Sequence, residues 1–305
     1  MIAGDERGLV LVIDDETTNI EILASALEEE CEVIFATSGA QGIALAASSQ
    51  PDLILLDVLM PEMDGYAVFA ALKAAPASAA IPVIFVTGRN DSEAEAFGLE
   101  LGAADYISKP LSPPVVRVRV RNQLELKRAR EELYRRAVTD GLTGLPNRRR
   151  FDEALLQEFL RLTRSTGWLS VVLLDVDHFK LFNDQYGHLV GDDCLRRIGG
   201  VLRDAGQRAA DLPARYGGEE FALILPETDL AGAIRVAEAV RESVLGLEIG
   251  HARSPVARQV TVSIGVSSAQ CKVGETPLSI LAQADVELYA AKKAGRNRTM
   301  PIRGG

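Results

Sequence analysis

Short apolar runs alternate with amphipathic stretches through the first 125 residues. Residues 9–13, Leu-Val-Leu-Val-Ile, are apolar throughout, as a strand buried on both faces requires. The following segment, 17–29, carries Ile20, Leu23 and Leu27 at helical spacing. The alternation returns as strand 33–35 with helix 39–48, strand 53–56 with helix 66–74, and strand 83–86 with helix 91–101. A last pair joins strand 106–107 to a helix after Pro114. Five β-α units predict an α/β domain over 1–125, a five-stranded parallel sheet doubly wound by helices.

The pattern then changes. Pro113-Pro114 opens a stretch in which 115–138 hold neither Gly nor Pro, and Pro suits a first helical turn. Leu126, Ala129, Leu133 and Ala137 recur at steps of three, four and four, while Lys127, Arg128, Arg130, Glu131 and Glu132 fill other faces. This seam predicts a dimerising helical connector over 113–139; the plainer alternative is an amphipathic helix docked on its own domain.

Asp140 to Asn147 is dense in turn formers and marks a second domain, 140–305. There a helix over 149–164 precedes a strand at 169–177, with further strands at 221–225 and 260–266 and a helix over 284–293 ending at Gly295. The pair Gly217-Gly218 signals a hairpin, because both glycines can take positive φ. Glu219 and Glu220 sit at its tip.

Composition narrows the function classes. A length of 305 residues suits two domains, and 47% hydrophobic with 25% charged residues is globular. A net charge of −10 argues against a nucleic acid polymer as partner. No apolar run approaches the ~18 residues a membrane span needs, and the acidic start is unlike a signal peptide. A cytoplasmic protein with no membrane partner is expected. Cys31, Cys194 and Cys271 are scattered, which reads as reduced thiols and not as a metal site.

Polar residues end the strands of the first domain, where open α/β sheets place their sites. Asp14 and Asp15 follow the first strand, Asp57 the third, Thr87 the fourth, and Lys109 the fifth. Three convergent carboxylates suit Mg²⁺; Asp57 can then attack phosphorus, with a hydroxyl and an ammonium holding the oxygens of the acyl phosphate. Helix capping and solvation are the plain readings of each residue alone. Together with Met60-Pro61, Asp64-Gly65, Thr87-Gly88, Tyr106 and Lys109-Pro110, they resemble the receiver domain of two-component response regulators over about 8–125. The resemblance implies that Asp57 is phosphorylated by a sensor histidine kinase or phosphotransfer protein. It also implies that Thr87 and Tyr106 report the phosphate.

In the second domain, the two-residue strand period puts Asp175 and Asp177 on one face. A hairpin lying beside that strand would bring Asp175, Glu219 and Glu220 into a cluster able to hold one or two Mg²⁺ ions. Asn183 and Asp192 offer an amide and a carboxylate suited to a guanine edge, although such residues also populate loops and caps. Lys292 and Arg296 can meet phosphates, or complement a helix dipole.

Gly-Gly-Glu-Glu-Phe at 217–221, Asp-x-Asp-x-Phe-Lys at 175–180, Asn183, Gly187-His188, Gly191-Asp192 and Lys292-x-x-Gly-Arg296-Asn297 together resemble the GGDEF family of diguanylate cyclases over about 139–300. The resemblance implies a palm-like α+β nucleotidyl cyclase domain. Two GTP molecules, one on each domain of a homodimer, would condense to cyclic di-GMP and two pyrophosphates. By position, it implies Mg²⁺ (or Mn²⁺) ligands at Asp175, the Val176 carbonyl and Glu219, with Glu219 and Glu220 catalytic. Asn183 and Asp192 would read guanine, His188 would contact the substrate, and Lys180, Lys292 and Arg296 would bind its phosphates. Arg208-x-x-Asp211, five residues short of Gly217, falls where the family places an inhibitory product site; Arg161 is the candidate second arginine. An inactive, cyclic di-GMP-binding response regulator is the alternative, but such copies lose signature carboxylates that are all present here. A cyclase for a different nucleotide is the third reading, against which Asp192 argues.

Overall fold

The structure, a computed structural model, describes residues 7–88, 98, 100–206 and 208–301. It divides into two compact units, Met1–Leu133 and Tyr134–Gly305. Among the described residues, no helix is long and apolar enough to cross a membrane.

The first unit is a parallel sheet of β1 (Gly8–Ile13), β2 (Cys31–Ala36), β3 (Leu53–Asp57), β4 (Val83–Thr87) and β5 (Asp105–Ser108). Its order is β2-β1-β3-β4-β5. Helices α1 (Thr17–Leu27), α2 (Gly39–Ser49) and α3 (Gly65–Ala74) link the first strands. The helix expected at 91–101 falls largely outside the described residues. The apolar runs sit as their continuity requires: Val10 and Val12 pack with Ile20 and Leu23 on one face, Leu11 and Ile13 with Val68 and Phe69 on the other. All strand carboxyl ends therefore share one edge, which carries Asp14, Asp57, Thr87 and Lys109.

Helix α4 runs Pro113–Val138. Its first turns bury Val116, Val120 and Leu124 against the first core, and ion pairs join Arg119 to Asp105, Arg121 to Glu30 and Lys127 to Asp52. Beyond them Leu126 and Leu133 are 53% and 67% exposed, and Ala129 and Ala137 are exposed as well. The early turns of the connector are thus docked on their own domain, and the residues of the predicted seam are exposed.

The second unit holds a mixed sheet, β10-β9-β6-β8-β7. Its strands are β6 (Trp168–Val176), β7 (Leu212–Gly217), β8 (Glu220–Pro226), β9 (Val262–Gln270) and β10 (Thr299–Pro301). Central β6 pairs antiparallel with both β8 and β9. Helices α5 (Arg148–Thr163), α6 (Phe179–Tyr186), α7 (His188–Ala205), α8 (Leu230–Leu245) and α9 (Pro277–Lys293) cover it. Val172 and Leu174 face Phe182, Ile198 and Val240, whereas Val171 and Leu173 face Phe151, Leu155 and Leu288.

The stretch around Asn183 is a helix along which Phe179 and Phe182 bury together one turn apart. Helix α7 opens at His188, directly after Gly187 at φ +82°. Gly218 alone of its pair takes positive φ, at +31°.

Candidate active site

The receiver-like unit gathers Asp14, Asp15 and Asp57 so that one oxygen from each lies within 4.8 Å of the others. Asp14 and Asp57 are buried. Lys109 spans them, its Nζ 3.1 Å from Asp14 Oδ2 and 2.9 Å from Asp57 Oδ2. The other Asp14 oxygen accepts from the Glu16 amide at 2.8 Å and from Asn19 at 3.1 Å. Burial pushes the Asp57 carboxyl up, Lys109 opposes this, and the Asp14 charge adds to it. Thr87, at the end of β4, and Tyr106, on β5, are buried.

In the second unit, the antiparallel register sets Asp175 opposite Glu220, and the Val176 amide donates to the Glu219 carbonyl at 3.3 Å. The signature hairpin thus lies alongside the acidic end of β6. Burial pushes the Asp175 carboxyl up; Lys292 opposes this, and Glu219 and Glu220 add to it. Lys292 Nζ lies 2.7 Å from Asp175 Oδ2. Among the described residues, these three carboxylates do not close as tightly as the receiver trio. Asp177 stays apart from them. It is buried and accepts from Thr261 Oγ1 at 2.7 Å, Ser263 Oγ at 2.6 Å and the Asn297 amide at 3.0 Å, so it ties the end of β6 to the loop after α9.

Asn183, on α6, turns Oδ1 inward, where it is buried without a hydrogen-bond partner. A Cβ on Gly191 would stand 1.9 Å from that oxygen, which places the amide against the first turns of α7 beside half-buried Asp192. His188 and Lys180 are exposed. Arg296, beyond α9 at φ +65°, reaches toward Asp177 at 3.9 Å.

Arg208 and Asp211 close a tight turn, with the Arg208 amide donating to Asp211 Oδ2 at 3.1 Å. Asp211 Oδ1 is buried and unpartnered. Arg208 Nη1 donates to Thr228 Oγ1 at 3.3 Å, and Arg161 Nη1 donates to Glu227 Oε1 at 3.0 Å. The two arginines converge on adjacent residues after β8.

Arg215 and Asp140 were not among the expected site residues. Arg215 donates through Nε and Nη2 to the Gly218 carbonyl at 3.0 and 2.7 Å, and through Nη1 to both Asp140 oxygens at 3.1 Å. Asp140 also accepts from the Thr143 amide and hydroxyl at 2.9 and 2.7 Å. The Asn147 amide donates to the Val138 carbonyl and the Arg215 amide to the Pro146 carbonyl, each at 2.8 Å. The 140–147 turn therefore fastens the end of α4 to the signature hairpin. Its turn-former density read only as a domain boundary; an acid in that turn and an arginine just before Gly-Gly were the available signal.

The profile described as "Diguanylate cyclase, GGDEF domain" matches residues 137–298, more than half of the chain. The chain belongs to the GGDEF family. A second profile, "Response regulator receiver domain", matches 10–121. The chain is 37% identical over 300 residues to "Response regulator PleD" of Caulobacter vibrioides, covering 95% of this chain and 65% of that protein. It is 40% identical over 183 residues to "Diguanylate cyclase VdcA" of Vibrio cholerae, covering 59% of this chain and 52% of that one. The chain thus spans less than two thirds of both relatives. Among solved structures, the coiled coil and GGDEF domain of DgcB from Caulobacter crescentus, in complex with c-di-GMP, resembles it with TM-score 0.54 and 34% identity. That likeness covers 63% of this chain and all of that one. A receiver fold followed by a GGDEF domain is the architecture.

Proposed function

We propose that this GGDEF protein is a phosphorylation-regulated diguanylate cyclase that joins two GTP molecules into cyclic di-GMP and is inhibited by that product. The observation that carries the reading is the juxtaposition of Asp175 with the Glu219-Glu220 hairpin in a partly buried, like-charged cluster. Its donors are hard oxygens whose mutual repulsion a divalent cation relieves, so the residues fit Mg²⁺ or Mn²⁺. Asp175, the Val176 carbonyl and Glu219 would hold it. Bound there, a divalent cation supplies Lewis-acid stabilisation of the reacting phosphate and the leaving pyrophosphate.

Glu219 accepts the proton of the ribose 3′-hydroxyl as that oxygen forms its bond to the α-phosphorus and the bond to pyrophosphate breaks. Glu220 sustains the negative field. Lys180, Lys292 and Arg296 neutralise phosphate oxygens, His188 contacts the substrate, and Asn183 with Asp192 reads guanine. The reaction occurs twice per product, so two domains must face each other. The exposed Leu126, Ala129, Leu133 and Ala137 supply a homodimer seam. Holding two reactants in register removes much of the barrier. Asp57, phosphorylated by a histidine kinase or phosphotransfer protein and read through Thr87, Tyr106 and Lys109, sets that pairing. Arg208 and Asp211, with Arg161 nearby, bind the product.

Chromatography of products from GTP and Mg²⁺, with and without beryllofluoride, tests both halves. Cyclic di-GMP that rises with beryllofluoride is the expected result, and Asp57→Asn should abolish the rise. Product at an unchanged rate rejects the switch and keeps the enzyme. Binding of cyclic di-GMP without synthesis makes the chain a sensor.

Base recognition has its own test. Gly191→Ala forces the Asn183 amide away from α7, its Cβ standing 1.9 Å from Asn183 Oδ1 and 3.2 Å from the buried Phe179 ring. The KM for GTP should rise roughly tenfold, the scale of one lost bidentate base contact, with a smaller loss of thermal stability from the crowded Phe179 ring. An unchanged KM would remove Asn183 from guanine recognition.

A further inference from the structure

The Lys292–Asp175 pair sits where the proposed metal site needs a free oxygen. Lys292 Nζ is 2.7 Å from Asp175 Oδ2, and the side chains are only 30% and 13% exposed. Glu219 and Glu220 add their charge at the same carboxylate, and Lys292 opposes it. The helix that delivers it is pinned. Gly265, on β9 next to β6, meets α9 so closely that a Cβ there would stand 2.1 Å from the Ala284 carbonyl oxygen and 2.3 Å from the Leu288 amide. The backbone of α9 therefore cannot draw back from the sheet without loss of packing, and release of Asp175 falls to the flexible stem of Lys292.

An ammonium donating to Oδ2 and a divalent cation on the same carboxylate would repel each other and compete for its charge. We propose that Lys292 is a resident counter-cation: in the metal-free protein it occupies the Asp175 oxygen, and it leaves for a substrate phosphate when the metal enters. The proposal rests on the reading of Asp175 as a metal ligand. Free metal must displace Lys292 into water. A metal–nucleotide chelate instead brings the anionic acceptor that the displaced ammonium then binds. Metal and nucleotide affinities are thereby coupled, and the coupling is reciprocal. The site takes divalent ions alone weakly and takes them more tightly with the loaded substrate.

The test is Mn²⁺ binding to the full chain, followed by electron paramagnetic resonance, with the receiver's ligands removed by Asp14→Asn and Asp15→Asn. Without nucleotide, Lys292→Met and Lys292→Gln should each bind Mn²⁺ roughly ten- to a hundredfold more tightly than the parent, the scale of one charge-assisted hydrogen bond. Lys292→Arg, which keeps the charge, should stay near the parent. A non-hydrolysable GTP analogue should tighten Mn²⁺ binding more in the parent than in Lys292→Met. Equal affinities in parent and Lys292→Met, with binding weakened by Asp175→Asn, would overturn the counter-cation role and leave the metal site standing. If Asp175→Asn changes no affinity, the metal-site reading fails and the proposal fails with it. Near-ultraviolet circular dichroism checks that each variant is folded.

Discussion

Asp175→Asn should lower the rate of cyclic di-GMP formation by about three orders of magnitude, the upper end of what one lost electrostatic group at a reacting phosphate removes. The side chain keeps its size, so the effect belongs to the lost charge. Folding should be little changed, because two consequences of the substitution oppose each other. The amide relieves the burial and the Glu219 and Glu220 repulsion that push the Asp175 carboxyl up. It also leaves Lys292 without its carboxylate, at a position 30% exposed where water can compensate. Product chromatography beside a thermal melt separates the two quantities. A variant retaining more than a tenth of the parent rate would move the metal off Asp175. A variant that melts well below the parent would make Asp175 a structural residue first.

The contrast between Asp175 and Asp177 shows what the sequence carried and what it did not. Both fall at alternate positions near the end of one apolar strand, and the period alone puts them on one face. Their roles diverge through partners distant in the chain: Thr261, Ser263 and Asn297 enclose Asp177, whereas Lys292 and the hairpin acids surround Asp175. No local pattern carries that difference. The receiver-like unit was more legible, since a parallel sheet collects all its strand ends at one edge and each acid is visible beside its own strand. Helix α8 went unread although Ala233, Ala237, Val240 and Val244 mark its core side at helical spacing. One oxygen from each acid of the receiver trio lies within 4.8 Å of the others while the cyclase acids do not close so far, although a lysine ammonium stands in each cluster.

Arg215→Met should reduce the catalytic rate roughly a hundredfold and also destabilise the second unit. One guanidinium performs two tasks here: it holds the Gly218 carbonyl that shapes the signature turn, and it neutralises Asp140. Misplacing a reacting group by about 1 Å is enough for a hundredfold loss, and Glu219 follows Gly218 directly. The side chains are 15% and 21% exposed, short of full burial, so breaking the pair should cost about 2 kcal/mol, below the range for fully buried pairs. That corresponds to roughly 5 °C in the melting of a unit this size. Arg215→Lys separates the tasks, since it keeps the charge but lacks the fork that spans both acceptors; it should recover most of the stability and little of the rate. The pH dependence has a definite sign. Burial pushes the Asp140 carboxyl up, but the Thr143 hydrogen bonds and Arg215 outweigh it and hold the group below the ordinary aspartate value of 3.8. Its contribution is therefore complete above that value and is lost as the pH falls through the lowered one, so parent and Arg215→Met should differ in stability at neutral pH and converge in strong acid. A difference that persists undiminished at the lowest pH would assign the loss to packing of the arginine stem and not to the ion pair. Full activity in the Met variant would mean that the hairpin holds its shape without Arg215, and that the 140–147 turn does not position Glu219.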